Sequence, residues 1–229
     1  MFTAWLASTI SGIAGFGGSL IILPVFSHLI GVKKAIPILT IAWMMGNFSR
    51  AAFGYKEIQW RPVLYFCLGA IPSTIVGSLV FVELPAKAVM KGIGVFLVLI
   101  IALRHSSIKW SIPEKSFIWC GVLIGFLSAI LGSAGPLAAV AFLSLNLPPT
   151  AYVASESVAA VVMHLTKTIV YGKYDLLTGA DAWLAVSLGL AMVAGSWTSR
   201  QWLKKMSNVW FMRFVDLLLV AAAISLFIK

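Results

Sequence analysis

Two short polar patterns lie inside apolar stretches of this 229-residue chain. Asn47 and Arg50 are three residues apart, and His164 and Lys167 have the same spacing. Residues at this spacing share one face of a helix. Each pair therefore presents an amide or an imidazole beside a positive charge, a combination that binds anions through charge-assisted hydrogen bonds. The two pairs predict an anion-binding surface inside the protein.

Glu156 is the one acidic residue well inside a predicted apolar segment. It precedes Lys167 by about three helical turns, so the two residues lie on nearly the same face of their helix. A carboxylate and an imidazole that line one cavity can relay a proton. Glu156 and His164 are therefore candidates for proton coupling.

Each of these residues also has a purely structural explanation. Arg50 and Lys167 lie about one turn from the ends of their predicted helices, where long side chains can reach the interface as anchors. His164 can serve packing through a hydrogen bond. Glu156 can be accommodated by the start of its helix and by nearby water. The sequence leaves these alternatives open.

The composition indicates the solvent in which these residues operate. Hydrophobic residues make up 61% of the chain and charged residues only 10%, with a mean hydropathy of +1.01. A soluble domain carries about 25% charged residues. The chain is therefore predicted to be an all-α, polytopic transmembrane bundle. Its net charge of +10 comes from residues near predicted membrane ends, which makes the lipid bilayer the partner and excludes nucleic acid.

Charge clusters and Gly/Pro positions divide the chain into about eight membrane segments, since one crossing needs about 20 apolar residues. The first and the fifth segments are interrupted by glycines. The predicted segments are 3–30, 35–53, 62–82, 88–103, 117–145, 150–171, 183–202 and 209–228.

The chain is predicted to contain two copies of one unit. A shift of 117 residues places Asn47 on His164 and Arg50 on Lys167, and it places the glycine run at 15–20 on residues 132–137. The first repeat is predicted at 1–104, a polar connection at 105–116 and the second repeat at 117–229. Each repeat would begin with a glycine-broken helix or a re-entrant hairpin.

The two glycine breaks are the other half of the predicted site. A break frees backbone N–H groups at the start of the next half-helix, where the helix dipole favours an anion. The alternative is that the glycines only allow tight helix packing. The candidates are Gly17, Gly18 and Ser19 in the first break and Gly132, Ser133 and Gly135 in the second.

Other functional classes have little support in the sequence. Cys67 and Cys120 lie in apolar runs and are assigned to packing, so we expect no metal and no cofactor. The chain has no Walker motif for ATP. Ser155 and Ser157 flank Glu156, but an intramembrane enzyme would need a nucleophile–base pair or a metal cluster, so we expect no catalysis. A non-transporting scaffold is the main alternative, and it predicts that Arg50, Glu156 and His164 can be replaced without loss of activity.

The sequence resembles the TauE/SafE family of membrane transporters, called sulfite exporters. The resemblance covers essentially the whole chain and depends on the run GFGGSLIILP at 15–24, NFSR at 47–50, FGY at 53–55, GAIP at 69–72 with Gly77, and the second break at 132–137. It implies an eight-segment, two-repeat carrier of small anions, often sulfur oxyanions or organosulfonates and sometimes carboxylates. Its site residues would be the two breaks with Asn47 and Arg50, and with His164 and Lys167 as repeat counterparts.

The predicted protein is thus a secondary transporter in the cell membrane. Its substrate would be a small anion such as sulfite, sulfoacetate or thiosulfate, with proton coupling as an option. The anion, the direction of transport, the coupling ion and the orientation of the chain stay open at this point. A homodimer is compatible with the sequence.

Overall fold

The computed structural model describes residues 2–14, 18–105, 112–207, 209–211 and 213. These residues form nine α-helices joined by short turns. The helices are α1 (Phe2–Ala14), α2 (Gly18–Ile30), α3 (Val32–Phe53), α4 (Trp60–Glu83), α5 (Ala86–His105), α6 (Phe117–Leu131), α7 (Gly135–Leu143), α8 (Pro149–Lys173) and α9 (Gly179–Leu203). Single 3₁₀ turns at Tyr55–Glu57 and Glu114–Ser116 precede α4 and α6.

Four of the described helical segments are long and apolar enough to cross a membrane. They are Trp60–Glu83, Glu114–Leu131, Pro149–Lys173 and Gly179–Leu203. With 22 residues, α3 is also long enough for a crossing. It carries Asn47 and Arg50 in its second half, and both side chains are buried inside the bundle.

Several helices begin earlier than their sequence pattern indicates. The predicted second segment begins after Lys33 and Lys34, whereas α3 already starts at Val32 behind Gly31, which has φ 80°. Lys33 is tolerated there because its ammonium donates to the carbonyl oxygens of Phe81 and Val82 at the end of α4. Helix α9 starts at Gly179, before the predicted residue 183, because Thr178 and Asp181 form a capping box.

Two predicted parts of the chain lie partly outside the described residues. These are the last segment, 209–228, and half of the polar connection at 105–116, namely residues 106–111. Both stay predictions.

The long helices alternate in direction. Gly54 of α3 packs against Ala154 of α8, and Trp43 stacks near His164 with ring centroids 5.8 Å apart. Because the numbering rises along α3 as it falls along α8, these two helices are antiparallel. Arg200 of α9 lies 6.0 Å from the ring of Phe53, so α9 ends where α3 ends.

The bundle therefore has two ends, which we name by residues. At the Gln59 face, α3 and α9 end and α4 and α8 begin; there the Gln59 N–H donates to Ser155 Oγ at 2.9 Å. At the Lys33 face, α3 begins and α4 and α8 end. The rings of Phe81 in α4 and Tyr171 in α8 lie 5.2 Å apart near this face.

At both glycine breaks the helix that follows packs on the helix that precedes it. In the first, the start of α2 lies beside the middle of α1, where a Cβ on Gly18 would be 2.9 Å from the Ala7 carbonyl oxygen. In the second, Phe142 near the end of α7 packs on Phe117 at the start of α6, with centroids 5.3 Å apart. Each broken segment is thus a helical hairpin rather than one continuous span.

The two hairpins lead to opposite faces. Helix α2 leads directly into α3 at the Lys33 face. Helix α6 starts beside the beginning of α4, where Arg61 pairs with Glu114 at 3.9 Å. Because α7 returns toward the start of α6, the second hairpin begins and ends at the Gln59 face.

Each hairpin is held by glycine-mediated packing on a long helix distant in sequence. A Cβ on Gly121 of α6 would overlap the carbonyl oxygen of Phe66 in α4, and one on Gly69 of α4 would overlap that of Ile118. On the other side, Gly12 of α1 faces Ser199 of α9 in equally close contact. Such close approach is the packing mode expected between helices in lipid. The packing alternative therefore holds for these glycines, and at the first break Gly18 also packs closely, on the Ala7 carbonyl oxygen of α1.

Candidate functional site

A polar cavity of about 40 Å³ lies between the two hairpins, α3 and α8. This volume has room for about three ordered waters. Most of the polar residues singled out in the sequence meet here. The lining consists of Ser11, Ser19, Trp43, Asn47, Arg50, Ser128, Ser133, Ala134, Gly135, Ala138, Glu156, Ala160, Met163 and His164.

Arg50 is the buried cation of the cavity. Only 8% of the residue is exposed, so it does not reach the interface as an anchor. Its Nε donates to Ser157 Oγ at 3.3 Å and its Nη1 to Ser196 Oγ at 3.4 Å. Both partners are neutral hydroxyls, so these hydrogen bonds do not neutralise the positive charge. The guanidinium has five N–H donors, so donors remain for a ligand.

Asn47 fixes the position of Arg50. Its Oδ1 accepts a hydrogen bond from Arg50 Nη2 at 2.6 Å. Its Nδ2 donates to the Trp43 carbonyl oxygen at 2.9 Å, which determines which way the amide points. The predicted three-residue spacing therefore places the two side chains in direct contact on one helix face.

Three buried polar atoms around the cavity have no hydrogen-bond partner among the residues that the structure describes. They are Trp43 Nε1, Glu156 Oε2 and His164 Nδ1. Leaving one such atom unpaired costs about 1–3 kcal/mol. All three belong to cavity-lining residues, so the arrangement favours a polar occupant, either water or a ligand.

Charges of both signs meet at the cavity. Arg50 interacts electrostatically with Glu156 on α8, and His164 lies in the field of Arg50 and Lys167. Only 4% of Glu156 is exposed, so access to water at the helix start does not explain this carboxyl. Glu156 and His164 both line the cavity, and Arg50 interacts electrostatically with each of them.

The breaks bring their own polar atoms to the cavity, but differently from the prediction. Ser19, Ser133 and Gly135 line it, and Gly132 turns the chain with φ 82°. The Gly135 N–H, however, donates to Ser133 Oγ at 3.3 Å, and the Leu137 N–H donates to the Ala134 carbonyl. These two N–H groups therefore already have partners within the second break, while the Ser133 residue and the Gly135 backbone line the cavity.

The structure describes only part of the first break. Gly17 lies outside the described residues. Gly18 packs against the backbone of α1, and the next residue, Ser19, is the one that lines the cavity.

Lys167 lies behind the cavity lining and not in it. Its ammonium donates to the carbonyl oxygens of Gly132 at 2.9 Å and Ser128 at 3.3 Å, and to Ser128 Oγ at 3.2 Å. The residue is fully buried, so it is not an interface anchor either. A cation at the last carbonyls of a helix satisfies them and complements the dipole. In this structure Lys167 caps the end of α6 at the second break.

Sequence reasoning missed several lining residues. Ser11 and Ser128 both line the cavity, and they are equivalent under the same shift of 117 residues that relates Arg50 to Lys167. Trp43 precedes Asn47 by four residues and so shares its face. The repeat equivalence of Ser11 and Ser128 and the four-residue spacing of Trp43 and Asn47 were both present in the sequence. Ser157 and Ser196, the partners of Arg50, had no such signal because they come from other helices.

A buried cation in a hydroxyl-rich cavity between two broken helices is typical of helical membrane transporters. The comparison of the sequence with protein families agrees with this class and gives the family. The family described as "Sulfite exporter TauE/SafE" matches the sequence over residues 1–226, so the chain belongs to this family. The resemblance drawn from the sequence is confirmed. No curated protein and no solved structure matches the chain.

Family and fold together establish the general character of the protein. It is a multi-pass, all-helical membrane protein of a transporter family. Membership of a transporter family is consistent with the expectation that the chain is not an enzyme.

Proposed function

We propose that the protein is a secondary transporter of a small sulfur oxyanion or organosulfonate, such as sulfite, thiosulfate or sulfoacetate. The observation that carries the proposal is Arg50, a buried cation whose described hydrogen bonds all go to neutral oxygens. A buried charge without an opposite charge in direct contact is costly. A bound oxyanion would supply that charge and accept the remaining guanidinium donors.

The substrate would lie in the central cavity against both hairpins. Arg50 and Asn47 would hold one side of the anion. The hydroxyls of Ser19 and Ser133, together with Trp43 Nε1, would donate from the other sides, since all these residues line the same cavity. His164 completes the donor set. Gly132 and Lys167 would act by shaping the second break, and Gly17, Gly18 and Gly135 by allowing the close approach of the backbone.

Proton coupling follows from the position of Glu156. A carboxylate in the same cavity would repel the incoming anion and attract Arg50 away from it. A proton on Glu156 removes both effects, so the anion and a proton would be carried together. His164, about two turns along α8, would pass the proton on. Because Glu156 Oε2 has no described hydrogen-bond partner, it is free to accept that proton.

The architecture that we propose for this carrier is the two-repeat arrangement predicted from the sequence. In each half, the first helix of a hairpin packs on a long helix of the other half, α1 on α9 and α6 on α4. Hairpins that lead to opposite faces and antiparallel α3 and α8 are what inverted repeats would produce. The eight segments, the repeat bounds 1–104 and 117–229 and the homodimer stay part of the proposal.

The test is flux of labelled thiosulfate, sulfite and sulfoacetate into proteoliposomes. We expect saturable uptake of at least one anion, and loss of that uptake in Arg50→Ala. Arg50→Lys should retain part of it because the charge remains. Arg61→Ala is the matched control, since Arg61 is an exposed arginine whose side chain is 80% accessible.

Two results would contradict the proposal. Folded protein that carries none of these anions faster than empty liposomes would favour the scaffold alternative. Uptake that survives Arg50→Ala unchanged would remove the central cavity as the anion site.

A further inference from the structure

A second, smaller cavity lies between the central cavity and the Gln59 face. Its volume is about 20 Å³, which has room for about one or two waters. Arg50 lines both cavities. Arg50 is the one described lining residue that the two cavities share.

The wall of the smaller cavity is mostly apolar between two arginines. Phe53, Val153 and Leu203 line it together with the small residues Gly12, Gly54 and Ala154. The Ser196 and Ser199 hydroxyls donate to backbone carbonyls of α3 and α9. Small residues leave space when neighbouring helices shift slightly, and the groups that can attract an anion here are the guanidiniums of Arg50 and Arg200.

Arg200 lies at the outer end of this cavity. It belongs to the last turn of α9, and its Nη2 lies 3.8 Å from Glu57 Oε1 in the turn before α4. The side chains of Arg200 and Glu57 are 25% and 34% accessible. The pair is thus in contact with both the surface and the cavity, and a loose ion pair of this kind contributes little to stability.

The opposite side of the central cavity differs. The cavity that adjoins it at Ser19 and Ser133 has a volume of about 30 Å³, and its other lining residues are Leu23, Pro24, Ile93, Phe96 and Leu131. Apart from the two serines these residues are apolar, and no charged side chain of the described residues lines this cavity, whereas Arg50 and Arg200 both line the smaller one. An anion is therefore attracted toward the Gln59 face.

We propose that the smaller cavity is the access path between the Gln59 face and Arg50, and that Arg200, tethered by Glu57, is the outer anion-binding residue of this path. The inference rests on the proposed function, because it assigns a route to the same anion. An arriving anion competes with the Glu57 carboxylate for Arg200. It then passes the cavity between the two arginines and reaches Arg50, which lines both spaces. Arg200 thus selects for negative charge before the central site is reached.

The test measures access without measuring transport. In a background with Cys67→Ala and Cys120→Ala, Thr150→Cys places a thiol on the wall of the cavity. Sealed proteoliposomes are treated with two membrane-impermeant methanethiosulfonates of similar size, one anionic (sulfonatoethyl) and one cationic (trimethylammonioethyl). Ser207→Cys on the Gln59 face and Lys173→Cys at the Lys33 face end of α8 report on sidedness, since both positions are exposed.

We expect Thr150→Cys to be labelled from the same side as Ser207→Cys, with the anionic reagent favoured. Arg200→Ala should lower the anionic-to-cationic rate ratio by about three- to ten-fold, as loss of a focusing charge does. Arg200→Lys should restore most of the ratio, and Glu57→Gln should raise it. The same variants should leave the ratio at Ser207→Cys nearly unchanged.

The access path is overturned if Thr150→Cys resists both reagents while Ser207→Cys reacts, or if it reacts from the side of Lys173→Cys. A rate ratio that Arg200→Ala leaves unchanged would remove Arg200 from the path. Because labelling needs no transported anion, these outcomes are separate from failure of the flux experiment. Flux with an unreactive Thr150→Cys would contradict only the path.

Discussion

Arg50 Nη2 donates a 2.6 Å hydrogen bond to Asn47 Oδ1, and the Asn47 amide is itself held by the Trp43 carbonyl oxygen. This chain of contacts runs along one face of α3 and aims the buried guanidinium at the central cavity. A neutral acceptor orients Arg50 without cancelling its charge. That property distinguishes a ligand-binding arginine from one used in a buried salt bridge.

Asn47→Asp tests this arrangement with almost no change in shape. The new carboxylate would pair with Arg50 and compete with the anion, so we expect KM to rise by about ten-fold, or about 1.4 kcal/mol. The thermal unfolding midpoint should change little, because the new charge pair with Arg50 offsets the loss of the Nδ2–H hydrogen bond to the Trp43 carbonyl oxygen. Concentration-dependent uptake and a melting curve in detergent measure both. An unchanged KM would show that Arg50 does not contact the anion.

Lys167→Met tests the capping role of Lys167. Its loss leaves the Gly132 and Ser128 carbonyl oxygens without their donor. We expect destabilisation by about 2 kcal/mol, with relief of the buried charge offsetting part of the cost of the unpaired groups.

The comparison with Lys167→Arg separates capping from ligand binding. If Lys167 only caps α6, Lys167→Arg should recover stability, and KM of the Lys167→Met protein that remains folded should change little. A large rise in KM at normal stability would instead place Lys167 among the anion ligands.

Glu156→Gln tests proton coupling. Glutamine imitates the protonated carboxyl, so we expect uptake to continue and to lose its dependence on the pH gradient. Thiosulfate is the preferred substrate for this measurement because its charge is constant around neutral pH. Wild-type uptake that is already indifferent to the gradient, or Glu156→Gln uptake that still follows it, would contradict the assignment.

Gly121→Ala tests the packing of the second hairpin on α4. The added Cβ would overlap the Phe66 carbonyl oxygen, a backbone atom that cannot rotate away. We expect destabilisation by about 1–3 kcal/mol. Gly94→Ala in α5 is the matched control, because a Cβ there meets nothing within 4 Å. The control should be neutral or slightly stabilising, since alanine favours a helix more than glycine does. Equal melting points for both variants would mean that the helices separate easily at Gly121.

The spacing of a few residues predicted which of them share a helix face. Asn47 and Arg50 are three apart, and their side chains are in contact. Glu156 and His164 are eight apart, about two turns, and both line the cavity. The sequence predicted that Lys167 binds the anion. It did not predict that the Lys167 ammonium donates to the carbonyl oxygens of Ser128 and Gly132. Repeat equivalence with Arg50 gives its position in the helix, but not whether a carbonyl or a cavity lies within reach of its ammonium.

The sequence by itself determined that the chain is a helical membrane protein, that two glycine breaks interrupt it and which family it resembles. These features depend on composition and local periodicity, which act over a few turns. Only the tertiary structure decided that both breaks are hairpins leading to opposite faces. It also decided that Ser157 and Ser196 hold Arg50 and that Arg200 lies outside it on a second cavity. Those relationships join helices that are more than 100 residues apart, and no local pattern encodes which of several apolar helices pack together.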